Sequence, residues 1–571
     1  MNDANSVTAG GALFGKLKAL GVEYVFANSG TDFPPIIEGL IEARNNGVEL
    51  PLAITVPHEH VAVGMAHGYF QISGHAQAVM LHTNVGLSNG ATGLINAACD
   101  QIPMFVMSGR TPVTEGGKFG ARTVPIGWGQ EMYDQTALVR EACKWEYELR
   151  FSDQVSAVLD RGWSIANSTP KGPVYLSLPT EVLCAECPAT GLDEPSKLQP
   201  ARTSPDREAL ERAAELLASA ERPLIIAQRG VGSQEAFDGL TRFVEGRAIP
   251  VSHYWANQIS IPMTSDMHVG WFPGDLLDEA DVILIIDSLA PWWPDRAAPS
   301  PDAKIIHLGP DPLFARTSPM RSFRSDVTLS GNTASSILEL IGAVEKHAMN
   351  GAVTEARKAR ITALADQERD SILQLARAGC RSPMTKDWVS LCVGEAIRGR
   401  KATVVHELGC PLPPLQLEDF RSYIQEPHSG GLGWGLPAAM GAQLADPDRL
   451  VLATVGDGSY MFANPTVCHQ VCESLGLPVI TMVLNNEEWG AVRQSVGRLY
   501  KDGLAAKSND VPLTSLTPSP DFAKTAEASR AYTETITNGE DLPAALERAI
   551  KVATEDKRQV LLNIAIEREG S

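Results

Sequence analysis

Leu450-Val-Leu-Ala-Thr-Val455 runs straight into Gly456-Asp457-Gly458-Ser459. After that Gly-Asp-Gly come 26 residues, the last of them the run Val479-Ile-Thr-Met-Val-Leu484, and then Asn485-Asn486. Both apolar runs read as buried strands, rich in β-branched residues and free of Gly and Pro. The interval between them has room for one helix and one returning strand, the crossover of a parallel sheet. Both polar clusters then fall at carboxyl ends of parallel strands, where open α/β sheets bind ligands. Glycines on either side of Asp457 let the backbone approach a phosphate closely. One carboxylate and one amide oxygen suit a hard divalent cation that completes its shell with phosphate oxygens. Gly-Asp-Gly and Asn-Asn are each ordinary turn sequences. Their pairing, each directly after a buried strand, is what points to a Mg-diphosphate site.

The same alternation of apolar runs and helical patterns extends in both directions from this stretch. Strands are expected at Val22–Ala27, Ala78–His82, Met104–Ser108 and Val174–Leu178, then at Pro223–Ala227, Val282–Ile286 and Lys304–Leu308, and finally at Thr403–His406, Leu450–Val455, Val479–Leu484 and Val560–Ile566. The polar, proline-bearing stretch Thr190–Asp206 reads as a linker. Thr354–Ala378 reads as a charged connecting helix, and Ala544–Thr554 as a late one. The fold class is α/β, with three consecutive domains at 1–188, 200–345 and 385–571. Each is expected to be a mainly parallel sheet flanked by helices.

The chain has 571 residues, enough for three or four such units at about 150 residues each. Apolar residues make up 44% and charged residues 20%, a globular composition. The formal net charge is −20, which argues against a nucleic-acid partner, since the phosphate backbone rewards clustered cations. A small anionic ligand needs only a local site and stays open. Nine scattered cysteines suit a reducing compartment. No stretch reaches the 18 apolar residues of a membrane span, and the start lacks a signal pattern, so a cytoplasmic location is expected.

Gly456-Asp457-Gly458, the 26-residue interval and Asn485-Asn486 together resemble the thiamine diphosphate motif. Ser429-Gly-Gly-Leu-Gly-Trp-Gly-Leu-Pro-Ala-Ala-Met-Gly441 resembles the segment that precedes it in acetolactate synthases and benzoylformate decarboxylase. Leu484-Asn-Asn-Glu-Glu-Trp-Gly490 resembles the segment that closes it. The resemblance implies thiamine diphosphate with Mg2+ held by Asp457, the Asn486 side chain and the Glu488 backbone carbonyl. It places Gly456, Gly458 and Ser459 against the diphosphate, and Leu432 as the apolar residue that bends the cofactor. It also implies a homodimer or homotetramer, with each site shared between subunits.

Enzymes of this family carry a glutamate in the first domain that hydrogen-bonds the aminopyrimidine ring and promotes loss of the thiazolium C2 proton. The matching residue is Glu59, in Pro57-His58-Glu59-His60, just ahead of the small-residue run Val61-Ala-Val-Gly-Met-Ala-His-Gly-Tyr69. A buried site with a raised pKa is expected for it. Asn28-Ser29-Gly30-Thr31 resembles a turn of benzoylformate decarboxylase and puts Thr31 near substrate. Leu81-His82-Thr83 resembles that enzyme's Leu-His-Ser and makes His82 a candidate proton donor or acceptor. Gly129-Gln130-Glu131 resembles a Phe-Gln-Glu of acetolactate synthase and puts Gln130 near the thiazolium.

The chain departs from these patterns in three places. His406-Glu-Leu-Gly-Cys-Pro411 replaces small hydroxyl or amide residues where the diphosphate should lie, leaving the Gly409 backbone as a donor. The Gln-Trp pair of acetolactate synthases is Gln494-Ser495. In the central domain, where some relatives hold FAD or ADP, Arg229-Gly-Val-Gly-Ser233 is too sparse a glycine pattern to identify either. Trp292 and Trp293 either face the substrate pocket or pack between domains. Cys184-Ala-Glu-Cys187 has no second pair to complete a zinc site. Cys468 and Cys472, four apart, read as one packed helix face.

The reaction implied is carbon–carbon cleavage or ligation on a 2-oxo acid or related carbonyl, by a decarboxylase or an acetolactate synthase-like enzyme. A 2-hydroxyacyl-CoA lyase is the alternative, with Arg493, Arg498 and Lys501 as candidate phosphate contacts. A non-catalytic cofactor-binding relative is the alternative from another class.

Overall fold

A computed structural model describes residues 6–508 and 511–568. By its internal contacts the chain forms two compact units. One is Met1–Ala201 with Pro427–Pro447, and the other is Arg202–Glu426 with Asp448–Ser571.

The first unit is built on six parallel strands in the order Leu52–Thr55, Tyr24–Ala27, Gln77–Leu81, Met104–Arg110, Val174–Pro179, Trp145–Glu148. Gln77–Leu81 and Val174–Pro179 are buried at every position, and Met104–Arg110 at all but its last, as strands inside a parallel sheet require. From Tyr24–Ala27 the chain moves outward to Leu52–Thr55, then back to Gln77–Leu81 on the other side. That reversal opens a crevice at the carboxyl ends of Tyr24–Ala27 and Gln77–Leu81. Asn28 and His82 are the first residues beyond those two ends.

Helix Glu59–Ser73 covers this sheet and packs against helix Gly435–Ala445. The two approach so closely that a Cβ at Gly68 would overlap the Ala438 backbone, and one at Gly441 the Met65 backbone. Gly68→Val is therefore expected to destabilise the chain by at least the 1–3 kcal/mol usual for overpacking. Thermal or urea unfolding would detect this, and an unchanged midpoint would contradict it.

The second unit carries two parallel sheets. The smaller has the order Val251–Ser252, Pro223–Ala227, Val282–Ile286, Lys304–Gly309, Val327–Ser330. The larger has the order Tyr423–Gln425, Ala402–Glu407, Leu450–Gly456, Ile480–Asn485, Val560–Ala565, Tyr532–Ile536. Its reversal point lies between Ala402–Glu407 and Leu450–Gly456, so Leu408-Gly409 and Asp457 flank one crevice. The architecture is three parallel sheets flanked by helices, as the strand pattern predicts. The connector is one helix, Gly351–Ala378. Cys468 and Cys472 lie on the buried face of Pro465–Leu475, where burial pushes both thiols up.

Candidate functional site

In the first unit the central feature is Glu59. It opens helix Glu59–Ser73, where the helix dipole favours an anion, and is only 8% exposed. Its Oε1 accepts from Asn28 Nδ2 at 2.8 Å, and its Oε2 from Asn89 Nδ2 at 2.6 Å. Two neutral donors thus fix both oxygens, and among the described residues no lysine or arginine pairs with the carboxylate. Room for it comes from Gly86 on helix Thr83–Cys99, where an added Cβ would lie 2.9 Å from Oε1. Gly90 and Gly93 continue that face against Val63, which lets the helices meet closely enough for Asn89 to reach Glu59.

His82 sits at the crevice with one-fifth of its side chain exposed. Its Nδ1 lies 2.5 Å from Asp32 Oδ1, and its Nε2 lies 3.3 Å from Gln130 Nε2. The hydrogen bond to Asp32 raises its pKa against the opposing effect of burial, and Glu59 adds in the same direction. Gln130 closes the short helix Ile126–Gly129. The next residue, Glu131, accepts from Arg110 Nη2 at 2.7 Å and pairs with Arg122, which ties this loop to the sheet. A cavity of about 680 Å³ opens here, lined by Thr31, Asp32, Thr83, Gln130, Val124 and Ile126 among others.

The segment around Leu432 belongs to this same unit. Asn96 holds it by accepting from Ser429 Oγ at 2.7 Å and donating to the Gly431 carbonyl at 2.8 Å. Burial pushes His60 down to about 4, despite backbone hydrogen bonds at Gly433 and Leu432 that raise it. The neutral ring pins the Leu432 turn.

In the second unit Asp457 begins the short helix Asp457–Phe462 and is 3% exposed. Its Oδ1 accepts from the Gly458 N–H at 2.8 Å, while Oδ2 is buried without a hydrogen-bond partner among the described residues. Burial pushes its pKa up to about 6, opposed by the N–H groups of Gly458 and Glu487. The Glu487 contact brings the Asn485-Asn486 loop onto Asp457. Glu487 adopts φ +59°, turning the chain sharply, and Asn486 Oδ1 accepts from the Glu488 N–H at 3.1 Å. The Glu488 side chain turns away to Arg493 Nε at 2.8 Å. Its backbone carbonyl accepts from Gly490 and keeps a second lone pair.

Ser459 Oγ is also buried without a partner. An uncompensated carboxylate oxygen and an orphan hydroxyl, two residues apart in sequence, are the groups a metal–diphosphate pair would satisfy. Gly458 lies under the Trp489 ring, which a Cβ there would strike. Gly409 presses on the Thr454 backbone, where no side chain fits, and follows Leu408 at φ +57°. Among the described residues no group of three or more His, Cys, Asp or Glu converges as a metal site. The Asp457, Asn486 and Glu488 set is instead one carboxylate, one amide and one carbonyl.

The two tryptophans separate. Trp292 packs in a core cluster with its ring edge-on to Phe323 at 5.2 Å. Trp293 is 39% exposed, with the Arg498 guanidinium 5.6 Å above its ring. Asn89 and Asp32 are site residues that the motif reading does not reach. The glycine spacing at 86, 90 and 93 is the sequence signal for the first, and Asp32 lies one residue beyond the quoted turn.

Three models of the thiamine pyrophosphate enzyme family match in order. The N-terminal TPP binding domain covers residues 7–138, the central domain 210–339, and the C-terminal TPP binding domain 412–564. The chain is 27% identical to "Probable 2-ketoarginine decarboxylase AruI" of Pseudomonas aeruginosa over 96% of its own length and 92% of that protein. It is 24% identical to the acetolactate synthase large subunit of Lactococcus lactis, over 95% and 90%. Its fold matches that of the thiamine diphosphate-dependent 4-hydroxybenzoylformate decarboxylase of Rhodococcus jostii RHA1, with a TM-score of 0.77, 22% identity, and 99% and 100% coverage. The chain belongs to the thiamine pyrophosphate enzyme family. No helix among the described residues is long and apolar enough to cross a membrane.

Proposed function

We propose that this chain, loaded with thiamine diphosphate and Mg2+, decarboxylates a 2-oxo acid, the step shared by decarboxylases and acetolactate synthases. The bound cofactor supplies a nucleophilic carbon and an electron sink. Glu59 holds or yields a proton at the pyrimidine ring, kept in place by Asn28 and Asn89. Asp457, the Asn486 amide and the Glu488 carbonyl hold the cation, and Ser459 and the Gly409 N–H receive the diphosphate. His82 exchanges a proton with the substrate beside Gln130, and Thr31 lines its pocket. The observation that carries this reading is the buried Glu59 carboxylate, held by the amides of Asn28 and Asn89. A homo-oligomeric assembly is part of this proposal and rests on the motif resemblance alone.

Arg493 is paired with Glu488, and Arg498 lies over Trp293, so neither is placed as a free phosphate contact for a CoA ester. The test is CO2 and aldehyde release from pyruvate, aromatic 2-oxo acids and longer 2-oxo acids, with 2-hydroxyacyl-CoA esters run alongside. Release from at least one 2-oxo acid, dependent on both cofactor and Mg2+, is expected. Release from none of them overturns the reading.

A further inference from the structure

We propose that Asp32 is a positioning residue for His82: its carboxylate holds the Nδ1 hydrogen and makes Nε2 the nitrogen that exchanges a proton with substrate. This deepens the reading above and rests on it. Asp32 is almost fully buried, with 5% of its side chain exposed. One oxygen meets His82 Nδ1 at 2.5 Å, and the other accepts from the Thr83 N–H at 3.3 Å. The carboxylate therefore grips both the ring and the backbone that carries it.

Two glycines shape the seat. A Cβ at Gly109 would collide with Asp32 Oδ2, and one at Gly30 would collide with the His82 ring. Thr83 adopts φ +41°, a conformation a threonine adopts only under constraint, and so turns the chain directly after His82. The ring is thus fixed on three sides, and Nε2 faces Gln130 at the edge of the cavity that Asp32, Thr83 and Gln130 line.

Free imidazole favours no such arrangement, but a carboxylate on Nδ1 selects the neutral tautomer with hydrogen on that atom. With the ring doubly protonated, Nε2 gives its proton to a substrate oxygen. The neutral Nδ1–H form is then left bound to Asp32, and the same proton returns in the reverse step. Asp32 itself takes no proton. The carboxyl groups that face the ring are Asp32 from the turn before helix Pro34–Asn45 and Glu59 from helix Glu59–Ser73, and both raise its pKa. Gln130 is neutral. Both carboxyl groups favour the charged ring, so the basic limb of the rate profile should lie above the ordinary histidine value of 6.5.

The test uses the full chain labelled with 15N-histidine, with and without thiamine diphosphate and Mg2+. The His82 signals are those lost in His82→Gln. The expected pattern above the midpoint is the Nδ1–H tautomer. In Asp32→Asn the midpoint is expected to fall by about one pH unit or more. The basic limb of kcat should move down with it, and kcat at neutral pH should drop at least about tenfold with KM changing less. An Nε2–H tautomer in the unaltered chain overturns the proposal, and so does an unmoved midpoint in Asp32→Asn. The tautomer is read in the unaltered chain, so a folding defect in Asp32→Asn cannot mask the answer. A chain that shows the Nδ1–H tautomer but turns over no 2-oxo acid would overturn the functional reading instead.

Discussion

Glu59→Gln is expected to reduce turnover of any accepted 2-oxo acid by about 10²–10⁴-fold, the range of a lost general acid–base group. Glutamine keeps the size of the side chain and one oxygen for Asn28 or Asn89. It cannot share a proton with a ring nitrogen. Folding and cofactor affinity should change less than turnover, because one of the two amide hydrogen bonds survives and the size and burial of the position are preserved. Titration of thiamine diphosphate in the presence of Mg2+ checks the second half of that statement. A variant that binds the cofactor normally and turns over at the wild-type rate would remove Glu59 from the mechanism.

Asp457→Asn is expected to act in opposite directions on the loaded and unloaded protein. Loaded, it loses the one carboxylate of the cation site. Mg2+-dependent cofactor affinity should fall by more than the roughly 10–100-fold typical of losing a group that merely supports a ligand. Unloaded, the wild-type carboxylate is a liability. Its pKa rises in the folded state from 3.8 to about 6, so the folded chain binds more protons than the unfolded one between those values. Stability of the unloaded wild type should therefore decline as pH rises from about 4 to about 6 and stay lower above that. The shift corresponds to at most about 3 kcal/mol. Asp457→Asn should remove this decline, leaving the unloaded variant at least as stable at pH 7, with the difference vanishing near pH 4. Thermal unfolding of both proteins at the two pH values, without and with Mg2+ and cofactor, reads all of this.

Much of this is legible in the sequence because buried parallel strands write themselves as unbroken apolar runs. Every strand from Pro223–Ala227 to Val560–Ala565 that lies inside a sheet announces itself that way. The strands that do not are edge or half-buried ones: Leu52–Thr55, Trp145–Glu148, Val327–Ser330 and Tyr532–Ile536. The exposed positions of Val327–Ser330 and Tyr532–Ile536 carry Thr and Ser, which interrupt the apolar run, whereas Leu52–Thr55 is a short edge strand that leaves Leu52 itself exposed. Tyr423–Gln425 is hidden for a different reason. It is only three residues long, too short for any pattern.

Glu59, Asp457 and Asn486 are legible because each stands at a fixed distance from a strand end or a small-residue helix. Asn28, Asn89 and Asp32 are contacts across the fold. Asn89 reaches Glu59 over 30 residues, and Asp32 reaches His82 over 50. No local spacing encodes a pairing of that kind. Trp292 shows the converse. Its neighbour in sequence is half open to solvent, while its own ring is committed to the core through Phe323.

Under the proposed function, Glu59 governs proton loss from C2 of bound thiamine diphosphate. The most direct measurement is the rate of C2 hydrogen–deuterium exchange in the loaded protein, read by proton NMR after acid quenching. It requires no knowledge of the substrate. Exchange in the wild type should be far faster than in free cofactor, and slower by at least about 100-fold in Glu59→Gln. Equal exchange rates in the two loaded proteins would contradict the account.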